Sequence, residues 1–411
     1  MPTAPGGTGR ASGGAATRAL LFLHVPKAGG TALWGVLSNR FAAEDCLDAY
    51  YARRPTDAEL NAARFVTGHL SMSVLDRFER SPFSVTVLRE PIERALSVYS
   101  FFRELNEPPL GWPGLEKYDA MLRLAKEHPL EEFIVMAPEL AEHYLGNWQA
   151  RVLGAKQLNR ADERLEDALE GLNRCDFVGL AERQDESVEW LARRLGWAPL
   201  TPLPLVNVTP RRVREEEISP AALEALRELT AVDRDLYAEA VRLYESRIAE
   251  WSGERDVESA ADAIDDAPLV GDLRFDRPIR GSGWLGRERL GDEPYVCWIG
   301  HTAEARVELA RERAARSVLV EIAHVVEPAI LETLRISVDG ESLEPSFAES
   351  GGTVMASAPL ERRRGRRNRA VSVELAVDHA TRPCDVNPES GDNRELAIAV
   401  RRIALSRQPV A

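Results

Sequence analysis

The chain has 411 residues, 44% hydrophobic and 29% charged, with a formal net charge of −14. Ordinary apolar content and this length imply a globular chain of about two domains, and an acidic body excludes a protein that coats nucleic acid, so any anion site must be a local basic pocket. Four widely spaced cysteines, Cys46, Cys175, Cys297 and Cys384, form no CxxC pair, which argues against a zinc site or a disulfide framework and fits a reducing cytosol.

Residues 1–18 are rich in Gly, Ala and Thr without an acid and read as a disordered tail. The apolar run ALLFL is broken by His24 and closed by Pro26-Lys27, too short for a signal peptide, and no stretch approaches the ~18–20 apolar residues of a spanning helix. A cytoplasmic protein is therefore expected. LLFLHV (20–25) reads as a buried strand followed by a helix from about Thr31 to Phe41. FVTGH (65–69) reads as a second strand before a short helix in SMSVLDRFER, and FSVTVLR (83–89) as a third before a helix opened by Pro91 and running through Arg103. Residues 104–170 look helical and irregular, as expected of an insertion that builds a substrate cleft. CDFVGL (175–180) reads as a fourth strand, QDESVEWLARRLG as its helix, and Ser219 to about Trp251 is helical again. This β–α alternation predicts a parallel sheet flanked by helices over residues 19–252.

The acidic, alanine-rich stretch 253–270 reads as a linker. Residues 271–411 carry short β-rich runs separated by turn signals such as VDGES and ESGG, the pattern of a mainly antiparallel β-sandwich. The basic RRRGRR stretch (362–367) reads as a solvated loop.

Two stretches carry chemistry. In LLFLHVPKAGGTALWGVL a strand turns through Lys27-Ala28-Gly29-Gly30-Thr31 into a helix. Backbone amides at the helix's positive end, glycines that admit close approach, a mobile lysine charge and a threonine hydroxyl together suit a phosphate. The lysine precedes the glycines, so the loop is P-loop-like without matching GxxxxGK[ST]; a tight turn with a surface lysine is the other reading. In TVLREPIERALSVYSFF, Arg89 closes a strand and Ser97 lies eight residues on, within the next helix. Arginine and serine so placed can share a phosphate; a surface ion pair is the alternative.

Together these motifs resemble the sulfotransferases that use 3′-phosphoadenosine 5′-phosphosulfate, in the carbohydrate branch that contains heparan sulfate 2-O-sulfotransferase. HVPKAGGTAL is similar to that family's 5′-phosphosulfate loop and LREPIERALSVYSFF to its 3′-phosphate motif. The likeness continues through FVTGHLSMS, CDFVGLAERQDESVEWLARRLG and LPLVNVTPRR and stops near residue 250. The resemblance implies that Lys27, Ala28, Gly29, Gly30 and Thr31 hold the 5′-phosphosulfate and that Lys27 stabilises charge on the bridging oxygen. It implies that Arg89 and Ser97 hold the 3′-phosphate, and it places Thr209, Arg211 and Arg212 in a basic loop closing over the nucleotide. No metal is implied, since no paired-carboxylate cluster lies near the loop.

The acceptor hydroxyl must lose a proton as it attacks sulfur, and histidine is a suitable base. His69, between a strand and a helix, matches the family's Gly-His after the second strand; a capping or core histidine is the other reading. Glu44 or Asp45 is the fallback base, and His24 reads as structural. Trp112, His143, Tyr144 and Trp148 are candidates for stacking on a sugar, or for filling a helical core. Trp284 and Trp298 are candidates for glycan binding in the C-terminal module, or for packing it; that module would otherwise scaffold the protein or mediate a homo-oligomer.

The expected activity is sulfuryl transfer to a hydroxyl of a glycan or glycolipid. The alternatives are a nucleotide-dependent phosphoryl transferase and a non-catalytic nucleotide- or glycan-binding protein.

Overall fold

The computed structural model describes residues 18–50, 54–104, 115–156, 160–197, 199–200, 211–253, 267–360, 369–387 and 394–408, with 158, 203, 389, 390 and 392. Trp112, Thr209, the 362–367 stretch, most of the expected tail and most of the expected linker lie outside the described residues.

The first part of the chain is built on one parallel sheet. Its strands are β1 (Leu20–Leu23), β2 (Cys46–Ala49), β3 (Phe65–Gly68), β4 (Phe83–Leu88) and β5 (Phe177–Leu180), in the order β2-β3-β1-β4-β5. β1 is central and buried on both faces, as an unbroken apolar run requires. Its side chains alternate: Leu20 and Phe22 join Leu33, Val36 and Leu191 on one face, while Leu21 and Leu23 join Val152, Leu172 and Leu236 on the other. The helices that supply these residues are α1 (Gly30–Ser38), α7 (Trp148–Leu153), α8 (Ala161–Arg174), α9 (Gln184–Leu195) and α11 (Ala231–Gly253).

The edge strand β2 was not expected from the sequence. Its four residues, CLDA, are too few and too polar to read as a buried strand, and they are half-buried or exposed in the fold. The short helix expected in SMSVLDRFER is a 3-10 helix over Met72–Arg77. The cleft-building insertion is helical: α4 (Leu115–Glu127), α5 (Leu130–Met136) and α6 (Pro138–Tyr144) pack with α3 (Pro91–Glu104) around Leu96, Tyr99, Phe102, Tyr118 and Phe133. Pro91 opens α3 where its missing N–H costs nothing. Between β2 and β3 lies α2 (Asp57–Ala62), and α10 (Pro220–Leu229) precedes α11.

Among the described residues, the C-terminal part contains two antiparallel sheets. One joins Gly281–Ser282, Glu304–Ala310, Arg335–Val338, Glu341–Leu343 and Ala370–Ala376; the other is centred on the pairing of Ser317–Val325 with Leu396–Ser406. Val307, Val373 and Leu375 of the first face Val318, Val320 and Val400 of the second in one apolar core, a sandwich-like arrangement. Trp284 and Trp298 are 2% and 4% exposed. The glycan-binding reading of these two residues is therefore corrected: no ring face is presented to solvent. The indole N–H of Trp284 donates to the Arg306 carbonyl at 3.0 Å, as a buried indole must.

This part rests on the far end of α1. Arg287 donates to the carbonyls of Ser38 at 2.8 Å and Phe41 at 2.6 Å, satisfying acceptors that a helix C-terminus leaves open. The side-chain amide of Asn39 donates to Leu285 O at 3.0 Å, and its backbone carbonyl accepts from Ile279 N at 2.6 Å. Among the described residues, no helix is long and apolar enough to cross a membrane.

Candidate functional site

Parallel register brings the strand ends together. Leu23 pairs with Gly68, and Gly68 with Ala49, so the next residues, His24, His69 and Tyr50, emerge side by side at the C-terminal edge of the sheet. That edge is where ligands bind in open α/β sheets. A cavity of about 810 Å³ opens there. Its walls include Lys27, Gly29 and Thr31 of the β1–α1 loop, His24, Tyr50 and His69 of the strand ends, and Arg89, Glu93 and Ser97 around the start of α3.

The β1–α1 loop is sharply turned. Lys27 has φ 63° and Gly29 φ 75°, so two residues of three are left-handed, a conformation that favours glycine and is strained for lysine. Gly29 forms the N-cap of α1, and Gln184, the first residue of α9, donates to its carbonyl at 2.9 Å. Gly30 is a glycine for steric reasons: a Cβ there would stand 2.3 Å from His24 Cδ2 and 3.1 Å from Phe22 Cζ. Of the five loop residues expected to hold a phosphosulfate, Lys27, Gly29 and Thr31 reach the cavity. Ala28 is fully buried in the apolar layer and its amide donates back to Val25 O at 3.3 Å, and Gly30 lies beneath the surface against His24.

Lys27 is held by its surroundings. Its ammonium lies 4.4 Å from the centre of the Phe101 ring. Burial, then the neighbouring Arg89 and Arg212, push its pKa down to about 8. Arg89 leaves β4 and its Nη1 donates to the Lys27 carbonyl at 3.0 Å, tying the second expected motif to the first. Its Nη2 stands 3.6 Å from a Glu93 carboxylate oxygen, to which Arg212 Nη2 also donates. Ser97 is 5% exposed and lines the same cavity one helical turn beyond Glu93. Arg212 therefore joins the site, whereas Arg211 is exposed and outside the cavity wall.

The imidazoles of His24 and His69 line the same cavity. His24 Nδ1 is 2.5 Å from the Tyr50 hydroxyl, which also lies 3.3 Å from Thr67 Oγ1. The Tyr50 ring stands edge-on to His69 with centroids 4.8 Å apart, and the His24 and His69 rings are 5.7 Å apart. Burial pushes His69 down to about 4, so its imidazole is neutral at neutral pH, the form with a free ring nitrogen, while burial also weakens its hold on a proton. His24 is pushed down to about 3, by burial first and then by His69 and Lys27.

Glu44 is withdrawn as a fallback base. It lies on a 3-10 turn outside the cavity wall, 3.8 Å from Arg277 of the C-terminal part, and its neighbour Asp45 is likewise outside the wall. Tyr144 and Trp148 line the cavity; His143 does not, but packs edge-on against both rings at 4.7 and 5.5 Å.

Several residues of the site carry no local sequence signal. Tyr50 is placed by the register of the short strand β2. Gln149 is completely buried and clamps Arg89, accepting from its amide at 2.9 Å and donating to its carbonyl at 2.8 Å. Asp233 of α11 in turn accepts from the amides of Gln149 at 3.1 Å and Ala150 at 2.7 Å, capping α7. Among the described residues, no group of three or more His, Cys, Asp or Glu is placed to hold a metal ion.

No family model matches the chain, and no curated protein matches it. Among solved structures, the chain is similar to a mouse sulfotransferase complexed with PAP, at 13% identity and a TM-score of 0.23, over 54% of this chain and 89% of that one. It is also similar to a family GH115 4-O-methyl-alpha-glucuronidase with specificity for decorated arabinogalactans, at 12% identity and a TM-score of 0.21, over 72% of this chain and 40% of that one. Both are distant structural resemblances and fix neither a family nor a fold.

Proposed function

We propose that the chain is a sulfotransferase that moves a sulfuryl group from 3′-phosphoadenosine 5′-phosphosulfate to a hydroxyl of a glycan or glycolipid. The observation that carries this reading is the convergence of Lys27, Arg89, Arg212 and Ser97 with the neutral imidazole of His69 on one cavity at the sheet's C-terminal edge. The residues suit the donor. Four cationic side chains, Lys27, Arg89, Arg94 and Arg212, line one space in a chain of net charge −14, and Gly29 turns the backbone into the N-terminus of α1, where amides point outward.

In this reading the loop of Lys27, Gly29 and Thr31 holds the 5′-phosphosulfate, with Ala28 and Gly30 shaping it from beneath. Arg89, Ser97 and Arg212 hold the 3′-phosphate, with Thr209 and Arg211 in the adjoining segment. Lys27 offsets the charge that builds on the bridging oxygen as the S–O bond breaks. His69 takes the proton of the acceptor hydroxyl during attack. Tyr144 and Trp148 supply flat apolar faces on which a sugar ring can rest. Residues 19–252 make up the transferase unit, and 271–411 a separate unit that braces α1.

The test is transfer of labelled sulfate from the donor to a panel of glycans and glycolipids by the full chain and by His69→Ala. The reading expects transfer by the full chain, and a variant that binds nucleotide as well as the parent but does not transfer. Normal turnover by His69→Ala would place the base elsewhere.

A further inference from the structure

The two arginines assigned to the 3′-phosphate already share an anion. Glu93 lies in the first turn of α3, and its Oε2 accepts from Arg212 Nη2 while standing 3.6 Å from Arg89 Nη2. Arg212 also donates to the Glu93 backbone carbonyl at 3.3 Å, so it is tied to this one residue twice. The backbone amide of Glu93 is itself bound, donating to Glu90 Oε2 at 2.7 Å, which fixes the start of the helix. Glu93 lines the cavity together with both arginines.

An oxyanion between two guanidinium groups is the arrangement these arginines would offer a phosphate. Glu182 and Glu90 also favour the charged form of Arg89, but without Glu93 the cations Arg89, Arg212 and Lys27 would face one another across a partly desolvated space, where their charges repel. The Glu93 side chain is 36% exposed, so it can turn into water when another anion arrives, without burying an unpaired charge.

We propose that Glu93 is a specificity-determining residue: a resident carboxylate that occupies the arginine pair in the empty protein, keeps free oxyanions out, and yields only to a phosphate delivered on a nucleotide. The inference rests on the assignment of this cavity to the nucleotide donor. A carboxylate fixed on α3 competes at the high effective concentration of an intramolecular group, which an untethered sulfate or phosphate ion cannot match. A 3′-phosphate carried by a nucleotide held elsewhere in the cavity has the same advantage and one more negative charge. The cost of displacing Glu93 is subtracted from nucleotide affinity, so the same residue eases release of the spent nucleotide.

The experiment is calorimetric titration of the full chain, Glu93→Gln and Glu93→Ala with three probes: 3′-phosphoadenosine 5′-phosphate, ADP and inorganic sulfate. Both variants should bind the 3′-phosphorylated nucleotide about tenfold more tightly, the effect of losing one competing charged contact, and bind ADP unchanged. Sulfate should bind the variants and compete with the nucleotide in them, and do neither in the parent. Weaker nucleotide binding in both variants would mean that Glu93 merely positions the arginines, and would overturn the inference, as would three indistinguishable titrations. If no protein binds the nucleotide while sulfate binds the variants alone, Glu93 does keep free oxyanions from the arginine pair, and it is the donor assignment, with the nucleotide's part in displacing Glu93, that falls.

Discussion

The side-chain amide of Gln149 holds both backbone polar groups of Arg89, accepting at 2.9 Å and donating at 2.8 Å. The clamp is itself anchored, because Asp233 caps the helix on which Gln149 sits. Arg89 therefore leaves its strand in one fixed direction, which also allows its guanidinium to reach the carbonyl of Lys27.

Replacing Gln149 with leucine keeps the volume but strands both groups of Arg89. Each unpaired backbone group costs about 1–3 kcal/mol. Gln149→Leu should lower the urea midpoint without changing the m-value. It should also weaken 3′-phosphoadenosine 5′-phosphate binding more than ADP binding, because in the proposed reading only the former uses Arg89. A variant as stable as the parent would show that the clamp is not needed.

In the proposed reading Lys27 must be charged to meet a developing negative oxygen, and its pKa is pushed down to about 8 by burial and by Arg89 and Arg212. The lysine is charged below that pH and neutral above it. The pH profile of kcat/KM, which reports the free protein, should therefore fall as pH rises through about 8. Lys27→Arg should move that limb upward or abolish it, and Lys27→Ala should abolish transfer. An alkaline limb left in place by Lys27→Arg would assign it to another group.

Gly30 has no room for a side chain. With the Cβ of an alanine 2.3 Å from His24 Cδ2, the imidazole or the helix must move. Gly30→Ala should cost about 1–3 kcal/mol of stability, as overpacking does, measured by denaturant unfolding. It should also disturb the contact between His24 and Tyr50. An alanine accepted without loss would mean that the loop is slack.

His24 and His69 have pKa values near 3 and 4 in the fold, against a usual value of 6.5. Between those limits the unfolded chain binds protons that the folded chain refuses, so stability rises with pH across this window and is lost as pH falls from about 6.5. Each histidine contributes a slope of at most about 1.4 kcal/mol per pH unit. Unfolding free energies measured from pH 4 to 7 should show a shallower slope in His24→Gln than in the parent. Equal slopes would mean that His24 titrates normally.

The sequence made the two cavity-lining motifs legible because each is local: an apolar strand, a turn forced by glycine, a helix opened by proline. The structure has β1 and α1 at Leu20–Leu23 and Gly30–Ser38, and β4 and α3 at Phe83–Leu88 and Pro91–Glu104, close to the expected spans. What the sequence hid is set at long range. Tyr50 belongs to the site only through the register of a four-residue edge strand. Gln149 reaches Arg89 across 60 residues, and Arg212 reaches Glu93 across 119. Trp284 and Trp298 left two readings open because an aromatic residue at a bridge or in a short strand has the same local pattern whether it faces the core or a ligand; burial decides for the core.

The measurement that tests the central claim most directly is calorimetric binding of 3′-phosphoadenosine 5′-phosphate against ADP, without added metal, for the parent and for Arg89→Ala. The account predicts that the parent binds the 3′-phosphorylated nucleotide far more tightly than ADP, and that Arg89→Ala loses most of that preference while its ADP affinity changes little. Equal affinity for the two nucleotides, or no binding of either, would contradict it.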